Sequence, residues 1–275
     1  MFTLNCKGRL LVVDKPLVMG IINITPDSFF SESRHQSVDE VLRQAEQMQK
    51  DGAVLLDLGG QSTRPGSEKL DADAELKRVI DPLRAVRKNF PEAFISVDTF
   101  YSKVASEAIT AGADIVNDIT AGTVDKKMIE TVAGLNVPYV LMHMKGTPQT
   151  MQQQASYENV TREVLDFMIW KTGELRKAGI KDIIIDPGFG FAKNSDHNFE
   201  LLRNLSVFKT LHCPLLLGIS RKSFIWKTLD TTAEYALNGT TVMNTAGLIN
   251  GATILRVHDV KEAAEAIKLF TACGF

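Results

Sequence analysis

The chain has 275 residues, 44% of them hydrophobic and 23% charged, with a formal net charge of −2. These are ordinary globular values, and the near-neutral balance supplies no bulk attraction to nucleic acid or to an anionic membrane. Cys6, Cys213 and Cys273 are widely spaced with no CxxC pair, which argues against a zinc site or disulfide framework; with no apolar signal-like N-terminus and no run of about 18–20 apolar residues, a soluble cytoplasmic protein is expected.

The first segment, "FTLNCKGRLLVV" (2–13), reads as two short strands around Lys7-Gly8 and predicts an antiparallel hairpin. Eight short runs rich in Val, Ile and Leu follow: 17–22, 53–58, 94–98, 114–118, 138–143, 182–186, 214–219 and 253–257. Continuous apolar runs of this length suit parallel strands covered on both faces. Helical periodicity separates them. Residues 37–52 carry Val38, Val41, Leu42, Ala45 and Met48 on one face, with Ser37 or Asp39 as expected cap and Gly52 as stop. Residues 71–89 carry Leu76, Val79, Ile80, Leu83 and Val86, with Pro82 predicting a kink or break. Further helical stretches span 101–112, 157–179 and 260–270, the first two ending in glycine. Strict alternation of strands and helices predicts a parallel sheet. Eight units in this length predict a (β/α)8 TIM barrel, with the hairpin capping its bottom; an open doubly wound sheet is the alternative. No linker composition interrupts the chain, so 1–275 reads as a single domain.

In such a barrel, functional groups collect at the C-terminal strand ends. Here those ends carry Asn23, the stretch "DLGGQSTRPGS" (57–67), Asp98, Asn117-Asp118, Asp186, Arg221-Lys222-Ser223, and Arg256 with His258. Each has a plainer reading, since an Asp that ends a strand often caps the next helix, as expected for Asp259 and open for Asp98. The set sorts by chemistry. Asp98, Asn117, Asp186 and Lys222 offer the acceptors, amide and ammonium that suit a flat heterocycle. Asn23, Thr63, Arg64, Arg256 and His258 suit an anion cradle, guanidinium forks matching phosphate oxygens. The two cations of "SRKSF" (220–224), directly after a core strand, point to an anionic or carbonyl-rich neighbour. Metal signals are weak, and Asn23 with phosphate oxygens and water would suit Mg2+. His143 reads as a packing or hydrogen-bonding strand-end residue, and Met142, Met144 and Met151 as core or pocket wall.

The motifs "MGIINITPDSFF" (19–30), "LLDLGGQSTRPGS" (55–67), "SVDT" (96–99), "VNDI" (116–119), "LMHMKGTPQTMQ" (141–152), "DPGFGFAK" (186–193), "LLLGISRKSF" (215–224) and "LRVHDV" (255–260) occur in this order over nearly the full length. In them the chain resembles the dihydropteroate synthases of bacterial folate biosynthesis, the targets of sulfonamides. The resemblance implies a transferase that joins 4-aminobenzoate to 6-hydroxymethyl-7,8-dihydropterin pyrophosphate, on a (β/α)8 barrel that is a homodimer using Mg2+. It implies that Asp98, Asn117, Asp186 and Lys222 hold the pterin and that Asn23 meets the metal. Asn23, Thr63, Arg64, Arg256 and His258 would meet the pyrophosphate. Phe29, Pro65, Lys222 and Ser223 would form the aminobenzoate site, with Asp98, Lys222 and Arg64 carrying the chemistry. Gln61 stands where the family often has Glu, and "SESRH" (31–35) replaces a common Asp-Gly-Gly type turn. Three competitors are a corrinoid-linked methyltransferase domain, a Schiff-base aldolase using Lys222, and a non-catalytic pterin-binding paralogue. The first needs no pyrophosphate cradle or "STRPG" loop, the second needs a buried lysine of lowered pKa, which adjacent Arg221 leaves open but does not single out, and the last would be expected to have lost Asn23, Arg64 or His258.

Overall fold

The computed structural model describes residues 1–24, 33–61, 70–147 and 150–274, with residues 33–37 and 152 described by backbone alone. Strands β1 (Phe2–Cys6) and β2 (Arg9–Val13) form the antiparallel hairpin, turning at Lys7 and Gly8, both with positive φ. The remaining strands are β3 (Leu17–Asn23), β4 (Leu55–Gly59), β5 (Phe94–Asp98), β6 (Ile115–Asp118), β7 (Tyr139–Met142), β8 (Ile183–Asp186), β9 (Leu216–Leu217) and β10 (Ile254–Val257). They form one parallel sheet in the order β8-β7-β6-β5-β4-β3-β10-β9. A parallel bridge between Ile185 and Leu215 brings its two ends together, so the sheet is a nearly closed barrel. The seventh strand, expected over 214–219, pairs regularly only at Leu216–Leu217.

Helices α1 (Ser33–Lys50), α2 (Ala72–Asn89), α3 (Ser102–Ala111), α4 (Met128–Leu135), α5 (Val160–Lys177), α6 (Ser195–Arg203), α7 (Ser223–Thr228), α8 (Leu237–Ile249) and α9 (Val260–Ala272) fill the crossovers. Two expectations change. Helix α1 begins at Ser33, so Ser37 and Asp39 lie within it rather than at its start; no Gly or Pro interrupts 33–50. Helix α2 runs unbroken through Pro82, whose ring lies on the buried face with Val79, Leu83 and Val86. Its missing N–H removes one ladder bond, and the packing of that face outweighs the loss. Asp71 caps α2 by accepting from Ala74 N at 2.8 Å.

Period-two alternation divides the barrel interior into levels. The lower level holds Leu17, Met19, Leu55, Ile115, Val140, Ile184, Leu216 and Ile254, plugged from below by Leu4, Cys6, Leu11 and Val13 of the hairpin. The hairpin therefore caps the bottom, as expected. Each fully buried aliphatic side chain there contributes about 1.5–3 kcal/mol. Lys7 Nζ donates to Ile109 O at 2.8 Å and Arg9 Nη2 meets Asp114 Oδ2 at 3.0 Å, fixing the hairpin's edge. Two residues on from that apolar plug, the same inward positions become Asp57, Asn117, Asp186 and Arg256.

Candidate active site

The upper level is a ring of charges joined across the barrel. Arg256 on β10 donates from Nε to Asp57 Oδ2 of β4 at 2.6 Å and from Nη2 to Asp98 Oδ2 of β5 at 2.7 Å. Asn117 on β6 donates from Nδ2 to the same Asp57 Oδ2 at 3.1 Å. Asp57 is fully buried, and its Oδ1 has no hydrogen-bond partner among the described residues. Burial pushes the Asp98 carboxyl up to about 7; Arg256 pulls against this, while Asp57, Asp118 and Asp186 add to it. Burial tends to strip the proton from Arg256, but Asp57 and Asp98 together raise its affinity above the ordinary arginine value. The guanidinium is therefore a permanent cation between two carboxylates.

Facing this group is the turn after β8. Asp186 Oδ1 accepts from Gly188 N at 2.7 Å. Lys222, just ahead of α7, donates from Nζ to Phe189 O, and its ammonium lies 4.5 Å from the centre of the Phe191 ring. Burial lowers the Lys222 amine to about 8, against the pull of Asp186 and Asp98. Burial likewise raises the Asp186 carboxyl, and Lys222 opposes the rise. Gly188 has a positive φ, and a Cβ there would lie 1.9 Å from His143 O, so only glycine fits. A wall of this kind combines acceptors, an amide and an ammonium around an aromatic face, and suits a flat, polar heterocycle.

Three neighbouring groups, Asp118, Arg221 and Asp259, belong to the scaffold instead. Asp118 faces away from the barrel lumen. Its carboxylate accepts from Thr120 N and Oγ1, Gly122 N and Tyr139 OH, all at 2.7–2.8 Å. Asp98, considered as a cap for the next helix, is spent on Arg256; Tyr101 occupies the cap position of α3 without a side-chain capping bond, its hydroxyl donating to Leu70 O at 2.6 Å. Asp259, expected to cap α9, stands at the cap position but makes no capping bond. It accepts a bidentate pair from Arg221 Nε and Nη2, at 2.9 and 2.7 Å. Arg221 Nη1 also donates to the carbonyls of Ala233 and Glu234. The anionic neighbour anticipated for Arg221 is thus the protein's own Asp259, and only Lys222 of the two cations faces the ring.

Asn23 is exposed at the end of β3, beside Gly59 in the register. Ser223 is exposed at the first turn of α7. His258 Nδ1 lies 3.0 Å from Ser220 Oγ. His143 is buried and bonded to Lys193, and Met142 and Met151 are buried, as expected of packing residues. Phe29, Thr63, Arg64 and Pro65 lie outside the described residues. Sequence reasoning missed Asp57 as a site residue, although its place two residues after the inward Leu55 identifies it. It also missed Glu75, a carboxyl at a core position of α2.

Residues 19–258 match the family described as pterin binding enzyme. The chain belongs to the pterin-binding enzyme family. Among members of that family it is 40% identical over 271 residues to dihydropteroate synthase of Haemophilus influenzae, covering 98% of both chains. It superposes on the Yersinia pestis dihydropteroate synthase crystallised with a sulfonamide drug with TM-score 0.93 and 37% identity, over 99% of each chain. With the Xanthomonas albilineans dihydropteroate synthase bound to 4-aminobenzoic acid the TM-score is 0.91 at 36% identity, over 99% of this chain and 98% of that one. The pterin-binding assignment agrees with the polar wall of Asp98, Asn117, Asp186 and Lys222.

Proposed function

We infer that the protein is a dihydropteroate synthase, a transferase joining 6-hydroxymethyl-7,8-dihydropterin pyrophosphate to 4-aminobenzoate. The observation that carries this reading is the convergence of Asp57, Asp98, Asn117, Asp186, Lys222 and Arg256 at one end of the barrel in a chain of this family. In the reaction the methylene–oxygen bond breaks, pyrophosphate leaves with the electron pair, the amine nitrogen bonds the methylene, and the amine loses one proton. The pterin ring makes early departure of pyrophosphate favourable by spreading the developing cation over its nitrogens. An ionised Asp98 beside that cation stabilises it, and Asp186, Asn117 and Lys222 hold the ring edge. Lys222 and Ser223, with Phe29 and Pro65, form the aminobenzoate side.

Asn23, Thr63, Arg64, Arg256 and His258 form the pyrophosphate side. Among the described residues, carboxylates engage Nε and one Nη2 hydrogen of Arg256, and its remaining N–H groups would meet an incoming anion. Among the described residues no group of three His, Cys, Asp or Glu could hold a metal. The exposed Asn23 offers one amide oxygen, which fits a Mg2+ that draws its other ligands from water and phosphate; when bound it would supply charge neutralisation to the leaving group. The reading includes a single pterin-binding domain over 1–275 and a homodimer in the cytoplasm. Exposed Leu229, Tyr235, Val242 and Ile249 around α7 and α8 support self-association, and no helix among the described residues is long and apolar enough to cross a membrane.

The test is pyrophosphate release from the pterin pyrophosphate with Mg2+, with and without 4-aminobenzoate. Release that requires 4-aminobenzoate and yields 7,8-dihydropteroate is expected. Tight pterin binding without turnover would overturn the synthase reading.

A further inference from the structure

Beneath the turn that carries Asp186 and faces Lys222 lies a buried ammonium that no step above uses. Lys193 is 3% exposed. Its Nζ meets His143 Nδ1 at 3.1 Å, Gly188 O at 2.9 Å and Phe191 O at 3.1 Å. Three acceptors match the three hydrogens of an ammonium, which requires His143 to be neutral with its proton on Nε2. Burial and the nearby lysine ammoniums hold His143 well below its ordinary range, in keeping with that tautomer. Burial also pushes Lys193 well below the ordinary lysine value, with Asp186 pulling it back up and the Lys222 and Lys145 ammoniums lowering it further; the three acceptors around Nζ are what favour its charged form.

Every bond Lys193 makes within the turn is one step from a group of the site. The peptide of Gly188 gives its carbonyl to Lys193, while the N–H of the same residue fixes Asp186 Oδ1. The next residue, Phe189, gives its carbonyl to Lys222. Phe191 gives its carbonyl to Lys193 and its ring to the Lys222 ammonium. Gly190 packs against the Lys222 stem and donates its N–H to Asn198 Oδ1 at 2.7 Å. The turn has positive φ at the alternate positions Gly188, Gly190 and Ala192. Glycine takes that conformation freely, whereas Ala192 holds it only where its surroundings impose it.

We propose that Lys193, braced by His143, is a positioning residue for the pterin end of the site: it imposes the 187–192 turn and so aims Asp186 and Lys222. This rests on the synthase reading for what the site binds, but not for how the turn is held. Lys193→Met keeps the apolar stem and removes the donors. His143→Leu removes the acceptor, whereas His143→Asn places Oδ1 at the same two-bond reach from Cβ as Nδ1 and restores it. Two quantities are measured on the full-length protein and these variants. One is amide hydrogen exchange at Gly188 and Gly190 without ligand; the other is affinity for the pterin pyrophosphate by calorimetry.

The proposal expects faster exchange at both glycines in Lys193→Met and His143→Leu, with wild-type protection in His143→Asn. It expects pterin affinity to fall about ten-fold or more in the first two and to recover in the third. Unchanged exchange in folded Lys193→Met, or equal behaviour of His143→Leu and His143→Asn, overturns it. Should Lys193→Met fail to fold, the two His143 variants decide alone. A wild-type protein that yields no dihydropteroate defeats the synthase reading, and the exchange data still decide this proposal.

Discussion

Removing the guanidinium of Arg256, as in Arg256→Met, tests the charge ring directly. It leaves Asp57 and Asp98 buried without their shared counter-ion, at positions where Arg256 now stands 2.6 and 2.7 Å from them. Breaking a buried ion pair from one side costs about 3–5 kcal/mol. The protein can limit the loss by keeping a proton on Asp98, whose carboxyl already stands at about 7 with Arg256 in place. That elevation, about three units above the unfolded value of about 3.9, is a penalty of about 4 kcal/mol above pH 7 that wild type already carries, so only a further rise in the variant separates the two. The sign follows from the protons. A folded-state pKa above the unfolded one means the folded protein binds the extra proton, so the penalty is absent below about pH 4 and grows as pH rises. Urea unfolding of wild type and Arg256→Met between pH 4 and 8 is the assay. The wild-type penalty levels off above about pH 7 while the variant's keeps growing, so the stability gap is expected to hold steady from pH 4 to about 7 and to widen by about 1 kcal/mol at pH 8. A gap independent of pH would refute the reasoning, because loss of packing alone carries no proton. Adding Asp57→Asn to Arg256→Met should recover part of the loss.

Two further outcomes follow from the same electrostatics. Glu75 is fully buried, neither carboxylate oxygen makes a well-formed hydrogen bond among the described residues, and burial pushes it up to about 7, the nearby Thr99 hydroxyl and Arg78 opposing the rise and Asp98 adding to it. Its folded-state pKa is raised, so the ionised form is penalised above about pH 4.5; Glu75→Gln should match wild type near pH 4 and exceed it by about 3 kcal/mol at pH 8, read by urea unfolding, and an equal or lower stability at pH 8 would contradict it. For Lys222, with its amine lowered to about 8 by burial, the pH profile of kcat/KM for the pterin substrate should fall as the ammonium is lost above about pH 8. Lys222→Ala should lower kcat/KM by several kcal/mol of transition-state stabilisation and abolish that limb; a limb that persists in the variant assigns it elsewhere.

The two faces of α2 and the strand ends illustrate how far local reading reaches. Gly112 stops α3 and Lys7-Gly8 turn the hairpin, each legible because the interaction spans few residues. The Pro82 break failed because a local penalty was outweighed by burial of a whole helix face. The Asp259 cap failed because Arg221, 38 residues earlier, offers two charge-assisted bonds in place of one backbone amide.

The sequence by itself determined the alternation of eight strands with helices, the bottom hairpin, and the inward positions, because hydrophobic period and turn chemistry are written residue by residue. It also determined which polar side chains stand at strand ends. Only the tertiary structure decided which of them meet. Asn117 and Asp118 are neighbours in sequence, yet the first joins the charge ring and the second ties down its own loop. Arg256 finds Asp98 and Asp57 across separations of 158 and 199 residues. Barrel closure and strand register set those encounters, and no local propensity encodes the distance between residues that the fold brings together.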